Sequence, residues 1–313
     1  MTPAYGNVGL DGNSIVIVSR RGVLVFDTNG TPAAASAVLQ EIRKLTDQPV
    51  RYVVNSHWHW DHWYGTEVYR QAFPDVQIIA HEKTREMMMG PALEFNRPGI
   101  ERDLPGYIAN LEKRSPPPAD LAEARFFLEQ KKNVRHTFPD VTFTDQMNLF
   151  LGERQIQVLH YERAVTPGDT FLYLPQEKIL ITGDLLVNPI SFALSCYPTE
   201  WLRTLEKIDA LDVSVMVTGH GEPLRDKELL HATMDVFREL LREGKEAHAK
   251  GIPVDEAKKT ILPALATLKA KITHDDPRLS NAFDIQLVDW YLHRVYDELN
   301  GPLTDAIVPI PRQ

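Results

Sequence analysis

The stretch Asn55-Ser-His-Trp-His-Trp-Asp-His62 carries four side chains that can bind a metal ion. They are His57, His59, Asp61 and His62, and they lie within six positions of one another. Imidazole and carboxylate groups are the ligand types that suit zinc and related divalent metals. This density of ligands is not expected of a solvated loop or of an apolar core. The stretch therefore predicts a metal site.

The segments on either side of this loop indicate where it lies in the fold. The apolar run Tyr52-Val53-Val54 predicts a strand, and a helix is predicted from Gly65 to Phe73. Open α/β folds place their binding sites in loops that follow the carboxyl ends of strands. The metal loop is thus expected at the edge of a sheet.

The composition is that of a globular protein and excludes several other classes. The chain has 313 residues, of which 43% are hydrophobic and 25% are charged. Its net charge of -9, without a block of lysine or arginine, disfavours a nucleic-acid partner. No apolar run is long enough to span a bilayer, so no membrane contact is expected. The single Cys196 excludes an internal disulfide and a multi-cysteine metal site.

The amino-terminal residues lack the charged and then apolar pattern of a signal peptide. This predicts either a cytoplasmic protein or an exported form from which a leader has been removed. A small-molecule substrate is expected, and the oligomeric state is left open.

Strands and helices alternate along the first part of the chain, which predicts an α/β layered fold. Thr31-Pro32 begins a helix, with proline at its first position. The predicted strands are Ser14–Ser19, Gly22–Asp27, Arg51–Asn55, Val76–Ala80, Val141–Phe143, Ile156–His160, Phe171–Leu174, Ile179–Thr182 and Val213–Thr218.

A helical insertion is predicted at about residues 82–140, interrupted by Ser115-Pro-Pro-Pro118. It is too long for a plain connection. It is either a lid or wall of the active site or a stabilising helical hairpin that does not touch the substrate. Beyond Asp226 the chain predicts helices, with breaks at Gly251-Ile-Pro253 and Asp275-Asp-Pro277.

Two further candidate ligands follow apolar strands. The segment Ile179-Leu-Ile-Thr-Gly-Asp184 places a carboxylate directly after a predicted strand. The segment Val215-Met-Val-Thr-Gly-His220 places an imidazole in the same way. A glycine before each ligand lets the backbone turn sharply. Asp184 alone would be read as a turn residue, but together with His220 and the first loop it indicates a shared site.

These motifs resemble the metallo-β-lactamase superfamily of metal-dependent hydrolases. The matching residues cover roughly residues 14–224 and are Asp27, His57, His59, Asp61, His62, the segment Thr166-Pro-Gly-Asp169, Gly183-Asp184 and Gly219-His220-Gly221. The resemblance implies an αββα sandwich with a helical insertion and a carboxyl-terminal helical extension. It also implies a division into residues 1–225 and a helical extension of residues 226–313.

The resemblance further implies the roles of the matching residues. His57 and His59 would hold one metal ion with a third histidine. Asp61, His62 and His220 would hold a second ion, and Asp184 would bridge the two. Asp27 would anchor the metal loop through hydrogen bonds, as residues outside the ligand shell commonly do.

In the family, the third histidine stands immediately before the turn that matches Thr166-Pro-Gly-Asp169, and this chain has Val165 at that position. The second ion therefore has the more complete set of ligands. Three interpretations remain open: one tightly bound zinc ion, replacement of the missing ligand by His160, or loss of catalysis. Manganese and iron are not excluded as the native metal.

Zinc lowers the pKa of bound water to near 7 and polarises the oxygen of the attacked group. The resemblance thus implies a zinc-dependent hydrolase that uses metal-bound hydroxide. Its expected substrate is a small ester, lactone, thioester or lactam, with a β-lactam among the candidates. Asp61 either orients the water and accepts its proton or serves as a ligand alone. The alternative function is a catalytically impaired protein that binds a metal or another ligand on the same scaffold.

Overall fold

The computed structural model describes residues 11–113 and 118–307. Ten strands form two five-stranded sheets, in the orders β1-β2-β3-β4-β5 and β10-β9-β8-β7-β6. The strands are β1 (Ile15–Ser19), β2 (Gly22–Phe26), β3 (Val50–Val54), β4 (Gln77–His81), β5 (Val141–Phe143), β6 (Gln146–Leu151), β7 (Arg154–Leu159), β8 (Phe171–Leu174), β9 (Ile179–Gly183) and β10 (Val215–Thr218).

Helices connect several of the strands and follow the last strand. They are α1 (Pro32–Leu45), α2 (Trp60–Trp63), α3 (Thr66–Ala72), α4 (Glu82–Met88), α5 (Pro91–Pro98), α6 (Leu104–Lys113), α7 (Pro118–Lys132), α8 (Pro198–Asp209), α9 (Glu228–Ala249), α10 (Val254–Ala264), α11 (Ala266–Thr273), α12 (Pro277–Ala282) and α13 (Trp290–Asn300). Two π-helical segments, Gly99–Asp103 and Phe283–Asp289, continue α5 and α12.

The chain divides into two compact units. Unit 1 comprises Met1–Phe143 and Leu151–Glu153, and unit 2 comprises Thr144–Phe150 and Arg154–Gln313. The boundary at residue 225 between a first domain and a helical extension stays a prediction.

Unit 1 contains the first sheet, which is mixed. β1 pairs antiparallel with β2, and the pairs from β2 to β5 are parallel. Alternate residues of the strands face α1 and α3, and Val23, Val25, Val53 and Ile78 form an apolar core with Leu39 of α1. Because parallel strands end at one edge, the loop after β3 lies at the carboxyl edge of this sheet.

Unit 2 contains the second sheet and the carboxyl-terminal helices. β9 and β10 are parallel, whereas β8 pairs antiparallel with both β7 and β9. Trp201 of α8, Phe237 of α9 and Tyr291 of α13 are buried in one core cluster. Phe237 and Tyr291 stack with ring centroids 4.2 Å apart. The helices on both sides of residue 226 therefore share one apolar core.

Most predicted elements are confirmed. The prediction missed one strand, β6, in which only Leu149 and Leu151 are buried. Its segment lacks the continuous apolar run that marked the other strands of this sheet. The predicted breaks at Gly251-Ile-Pro253 and Asp275-Asp-Pro277 separate α9 from α10 and α11 from α12. The predicted break at residues 115–118 falls mainly on residues outside those described.

The predicted insertion is helical from α4 to α7. Leu104, Ile108 and Ala124 form a small core of their own between α6 and α7. In the described part of the chain, no helix is both long enough and apolar enough to cross a bilayer.

Candidate metal centre

The four predicted ligands of unit 1 lie between the end of β3 and the short helix α2. His57 and His62 are fully buried, Asp61 is 9% exposed and His59 is partly buried. The Nε2 atom of His57 lies 2.9 Å from Nδ1 of His59, and Nε2 of His62 lies 3.3 Å from an oxygen of Asp61. The loop thus gathers nitrogen and oxygen donors at close range.

Asp27 fixes this loop from the end of β2. Its carboxylate accepts hydrogen bonds at 2.7 Å from the backbone N–H of Ser56, from the Ser56 hydroxyl and from Nδ1 of His62. Burial raises the pKa of Asp27, while the contacts with His62 and Ser56 oppose that rise. Asp27 adopts a left-handed backbone conformation with φ of 59°, which aspartate tolerates better than most residues. The role expected for Asp27 agrees with these contacts.

These bonds also determine which ring nitrogens can bind a metal. Because the Ser56 hydroxyl donates to Asp27, its oxygen accepts the N–H of His57 Nδ1 at 2.8 Å. His62 Nδ1 likewise donates to Asp27. The lone pairs of His57 and His62 are therefore on Nε2. A partner that binds one nitrogen and so directs the other towards the metal is typical of metal-ligating histidines.

Aromatic side chains hold the loop against the helical insertion. Trp58 and Trp63 are each 1% exposed, so they pack the loop. Trp58 contacts Phe95 of α5, with ring centroids 5.8 Å apart. Trp60 is covered by α7, where the Lys131 ammonium lies 2.9 Å from its ring centroid. The insertion therefore contacts the metal loop directly.

Lys131 was not singled out by the sequence. It is only 7% exposed, and burial lowers its pKa well below the usual value, while Asp61 and Asp11 oppose that shift. Nothing local marks a lysine near the end of a helix as a buried cation. Only the packing of α7 on Trp60 reveals it.

In unit 2, Asp184 and His220 follow the adjacent parallel strands β9 and β10. Gly183 has a φ of 53°, which allows the turn that presents Asp184. Oδ1 of Asp184 lies 3.5 Å from Nε2 of His220. A Cβ atom at Gly219 would lie only 2.0 Å from Oδ1 of Asp184. The glycine before His220 thus makes room for the carboxylate, a second reason for its position besides the turn.

The loop after β7 contains Val165, His160 and Asp169. Val165 is 1% exposed and belongs to the apolar core, so its position offers no metal ligand. His160 donates from Nδ1 to the backbone carbonyl of Asp169 at 2.9 Å. Burial lowers the pKa of His160. The neutral ring therefore carries its lone pair on Nε2.

Asp169 is 3% exposed, and one of its oxygens accepts the backbone N–H of Thr166 at 2.8 Å. The other oxygen, Oδ1, is buried and has no hydrogen-bond partner within the described residues. Burial, opposed by the Thr166 bonds and reinforced by the charge of Asp184, raises the pKa of Asp169 to about 7.

The described residues thus hold two His/Asp clusters whose donor atoms lie close together. Both are consistent with a binuclear metal site. A third acidic group, at Asp255, Asp289 and His293, is more exposed. Lys258 already places its ammonium 2.5 Å from Asp289, so this group is a surface ion-pair network.

Comparison with protein families agrees with the fold and with these clusters. The model of the metallo-β-lactamase superfamily matches residues 7–220, which is more than half of the chain. The chain therefore belongs to this superfamily. It is a metal-dependent hydrolase with the α/β fold of two mixed sheets, and the resemblance seen in the sequence is confirmed.

Two kinds of relatives are similar to the chain. The linear primary-alkylsulfatase of Pseudomonas sp. (strain ATCC 19151) is 25% identical over 262 residues, which are 77% of this chain and 48% of the relative. The structure of the stereoselective inverting sec-alkylsulfatase Pisa1 from Pseudomonas sp. has a TM-score of 0.65 and 19% identity, and the match covers 97% of this chain and 50% of that one. The chain thus spans about half the length of these alkylsulfatases.

A metallo-beta-lactamase from Pontibacter korlensis has a TM-score of 0.52 and 21% identity. That match covers 72% of this chain and 87% of the other. At these identities the structural matches establish the fold alone.

Proposed function

We propose that the protein hydrolyses small alkyl sulfate esters at a pair of bound metal ions. The observation that carries this proposal is the sequence match to a linear primary-alkylsulfatase over 77% of the chain. The products would be the alcohol and inorganic sulfate. This narrows the broad expectation of an ester, lactone, thioester or lactam to one class of ester.

The sequence match supports an alkyl sulfate over a β-lactam, because the matching relative is an alkylsulfatase that aligns with 77% of this chain. The shared fold extends over 95–97% of this chain in the alkylsulfatase structures and over 72% in the Pontibacter korlensis metallo-beta-lactamase. A β-lactam remains the comparison substrate for the test below.

The proposed ligands form two sets. His57, His59 and Asp184 would bind one ion, and Asp61, His62 and His220 would bind the other. The donor chemistry fits a divalent ion, because His57 and His62 keep their lone pairs on Nε2 through the bonds to Ser56 and Asp27. We propose zinc as the metal, since imidazole and carboxylate are its usual ligands.

A bound zinc ion would supply an activated water and a positive charge that stabilises the developing oxyanion. The chain's own groups would hold that arrangement. Asp27 and Ser56 keep the loop histidines in the required tautomers, and Trp58 and Trp63 hold the loop in place. We propose that Asp61 binds through one oxygen and accepts a proton at the other.

The test is sulfate release from octyl sulfate by protein loaded with zinc, measured by ion chromatography. Nitrocefin, 4-nitrophenyl acetate and a simple lactone are assayed in parallel. We expect sulfate release that a chelator abolishes and added zinc restores. We expect Asp61→Asn to lose at least about a hundredfold in kcat, because general acid–base groups typically contribute that much. We expect His57→Ala to lose turnover as well, because it removes a proposed metal ligand.

His248→Ala is the matched control, since this histidine lies on α9 and bonds to Asn300 rather than to the metal loop. Its turnover should equal that of the unaltered protein. Metal-dependent hydrolysis of nitrocefin without sulfate release would overturn the substrate class. No turnover on any substrate, with metal bound, would favour the alternative of a binding protein.

A further inference from the structure

A cleft of about 650 Å³ lies in unit 1, between α3, α4 and the segment that leads into β5. Its lining includes Arg70 of α3, Arg85 of α4, and His136, Phe138 and Asp140 of that segment. Clefts of this volume commonly bind small molecules. None of the residues that line the cleft is a proposed metal ligand, so the cleft is separate from the metal centre.

The cleft carries a positive charge in a chain whose net charge is -9. Arg70 forms an ion pair with Asp140, so these two charges compensate each other. Arg85 donates from Nε to the carbonyl of Pro139 at 2.9 Å, and within the described residues it has no carboxylate partner. The guanidinium of Arg85 is therefore an uncompensated positive charge at the wall of the cleft.

Two hydrogen-bond donors of the cleft also lack acceptors. The hydrogen bond of Arg85 uses Nε, and its terminal NH2 groups have no acceptor in the described part of the chain. The exposed His136 packs against Trp63 with ring centroids 5.4 Å apart, and neither of its ring nitrogens has a hydrogen-bond partner there. Partial burial and the charge of Lys131 lower the pKa of His136, so its neutral ring offers one N–H as a donor.

An oxyanion is the ligand that these groups suit. The planar guanidinium of arginine binds two oxygens of a carboxylate, sulfate or phosphate group through paired N–H donors. A carboxylate has no further oxygen, whereas a sulfate or phosphate group can also accept from a second donor on the cleft wall, such as His136. A neutral ligand would leave the charge of Arg85 uncompensated.

We propose that this cleft is a second binding site, which takes a sulfate or phosphate group as the free ion or as the head of a small organic molecule. Arg85 binds two oxygens of that group, and His136 donates to a third. A water molecule occupies roughly 30 Å³, so a cleft of about 650 Å³ has room for an attached organic group beside Phe138. The site depends neither on the metal ions nor on the hydrolysis of alkyl sulfates.

The test is an NMR titration of the zinc-loaded full chain with inorganic sulfate, inorganic phosphate and phenylphosphonate, at an ionic strength held constant with sodium chloride. The reporters are the Nε–H signal of Arg85, assigned by its loss in Arg85→Lys, and the ring signals of His136. We expect saturable shifts of both reporters. The Arg97 signal is the control in the same spectra, because Arg97 is exposed and paired with Glu94.

The phenylphosphonate titration distinguishes the two sources of the oxyanion group. Tighter binding of phenylphosphonate than of phosphate would identify an organic ligand, because the phenyl ring gains apolar contacts with the cleft wall. Equal binding of the two would identify the free ion as the ligand.

Substitutions separate a specific site from general charge screening. Arg85→Gln should weaken binding at the His136 reporter at least about tenfold, because it removes charge-assisted hydrogen bonds. Asp140→Asn should tighten binding about twofold to fivefold, because it removes a negative charge from the cleft wall. Arg97→Gln is the matched control and should leave the affinity unchanged.

Equal affinity in Arg85→Gln and the unaltered chain would overturn the proposal. The same shifts with sodium chloride alone would also overturn it, because they would reflect ionic strength. None of these readouts uses turnover, so absence of sulfate release from octyl sulfate would reject the proposed function and leave this site standing.

Discussion

Substitution of Gly219 by alanine tests how closely the carboxylate of Asp184 is fitted to the turn after β10. A Cβ atom built at Gly219 lies 2.0 Å from Oδ1 of Asp184, 2.7 Å from the carbonyl carbon of Gly183 and 2.8 Å from its oxygen. The backbone conformation of Gly219 is not left-handed, so the cost of an alanine is one of space. Carbon atoms ordinarily approach to roughly 3.5 Å.

The carboxylate would therefore have to move by more than about 1 Å, and the backbone of Gly183 by several tenths. Gly183 cannot move alone, because the Gly219 N–H donates to its carbonyl at 2.8 Å and the two residues join parallel strands. Overpacking of this kind costs about 1–3 kcal/mol. A comparable loss in metal binding corresponds to roughly a tenfold to hundredfold weaker affinity.

The assay is urea unfolding of the metal-free protein, followed by titration with zinc. Gly106→Ala is the matched control, because a Cβ there meets nothing within 4 Å and the residue lies within α6. That change should raise the free energy of unfolding by about 0.5–1 kcal/mol, because glycine loses more conformational freedom on folding than alanine does. If Gly219→Ala unfolds at the urea concentration of the unaltered protein and binds zinc equally well, the steric argument fails.

Three further predictions concern buried charges. Asp27→Asn should lower the free energy of unfolding by about 3 kcal/mol, because it breaks the charged contact with His62 and one bond from Ser56. Urea unfolding measures this change, and an unchanged urea midpoint would contradict the anchoring role of Asp27. Lys131→Met should raise stability at pH 7 by roughly 1–3 kcal/mol, since it removes a desolvated cation. The lysine has a lowered pKa in the folded chain, so this advantage should shrink as the pH rises towards 10.5. In the metal-free protein, the raised pKa of Asp169 should make stability fall between about pH 4 and pH 7, by at most about 1.4 kcal/mol per pH unit, and level off above. Asp169→Asn should flatten that part of the profile, and an unaltered slope would exclude Asp169 as its source.

Local sequence patterns determined the main part of the fold. Apolar runs followed by turn residues predicted nine of the ten strands, because a buried strand needs a continuous apolar segment. The strand β6 was not predicted, because its buried and exposed residues alternate and only two of them are buried. The loop from His57 to His62 was recognisable because its ligands are adjacent in the sequence.

Tertiary structure alone decided which buried polar groups have a hydrogen-bond partner and which do not. The unpaired oxygen of Asp169 and the buried ammonium of Lys131 follow from residues far away in the sequence that cover them. The same holds for the bonds from Asp27 that set the tautomers of the loop. Residue type specifies which groups can ionise or donate a hydrogen bond, but burial and hydrogen-bond geometry depend on non-local packing. The sequence therefore identified the class of chemistry, and the packing identified the residues that tune it.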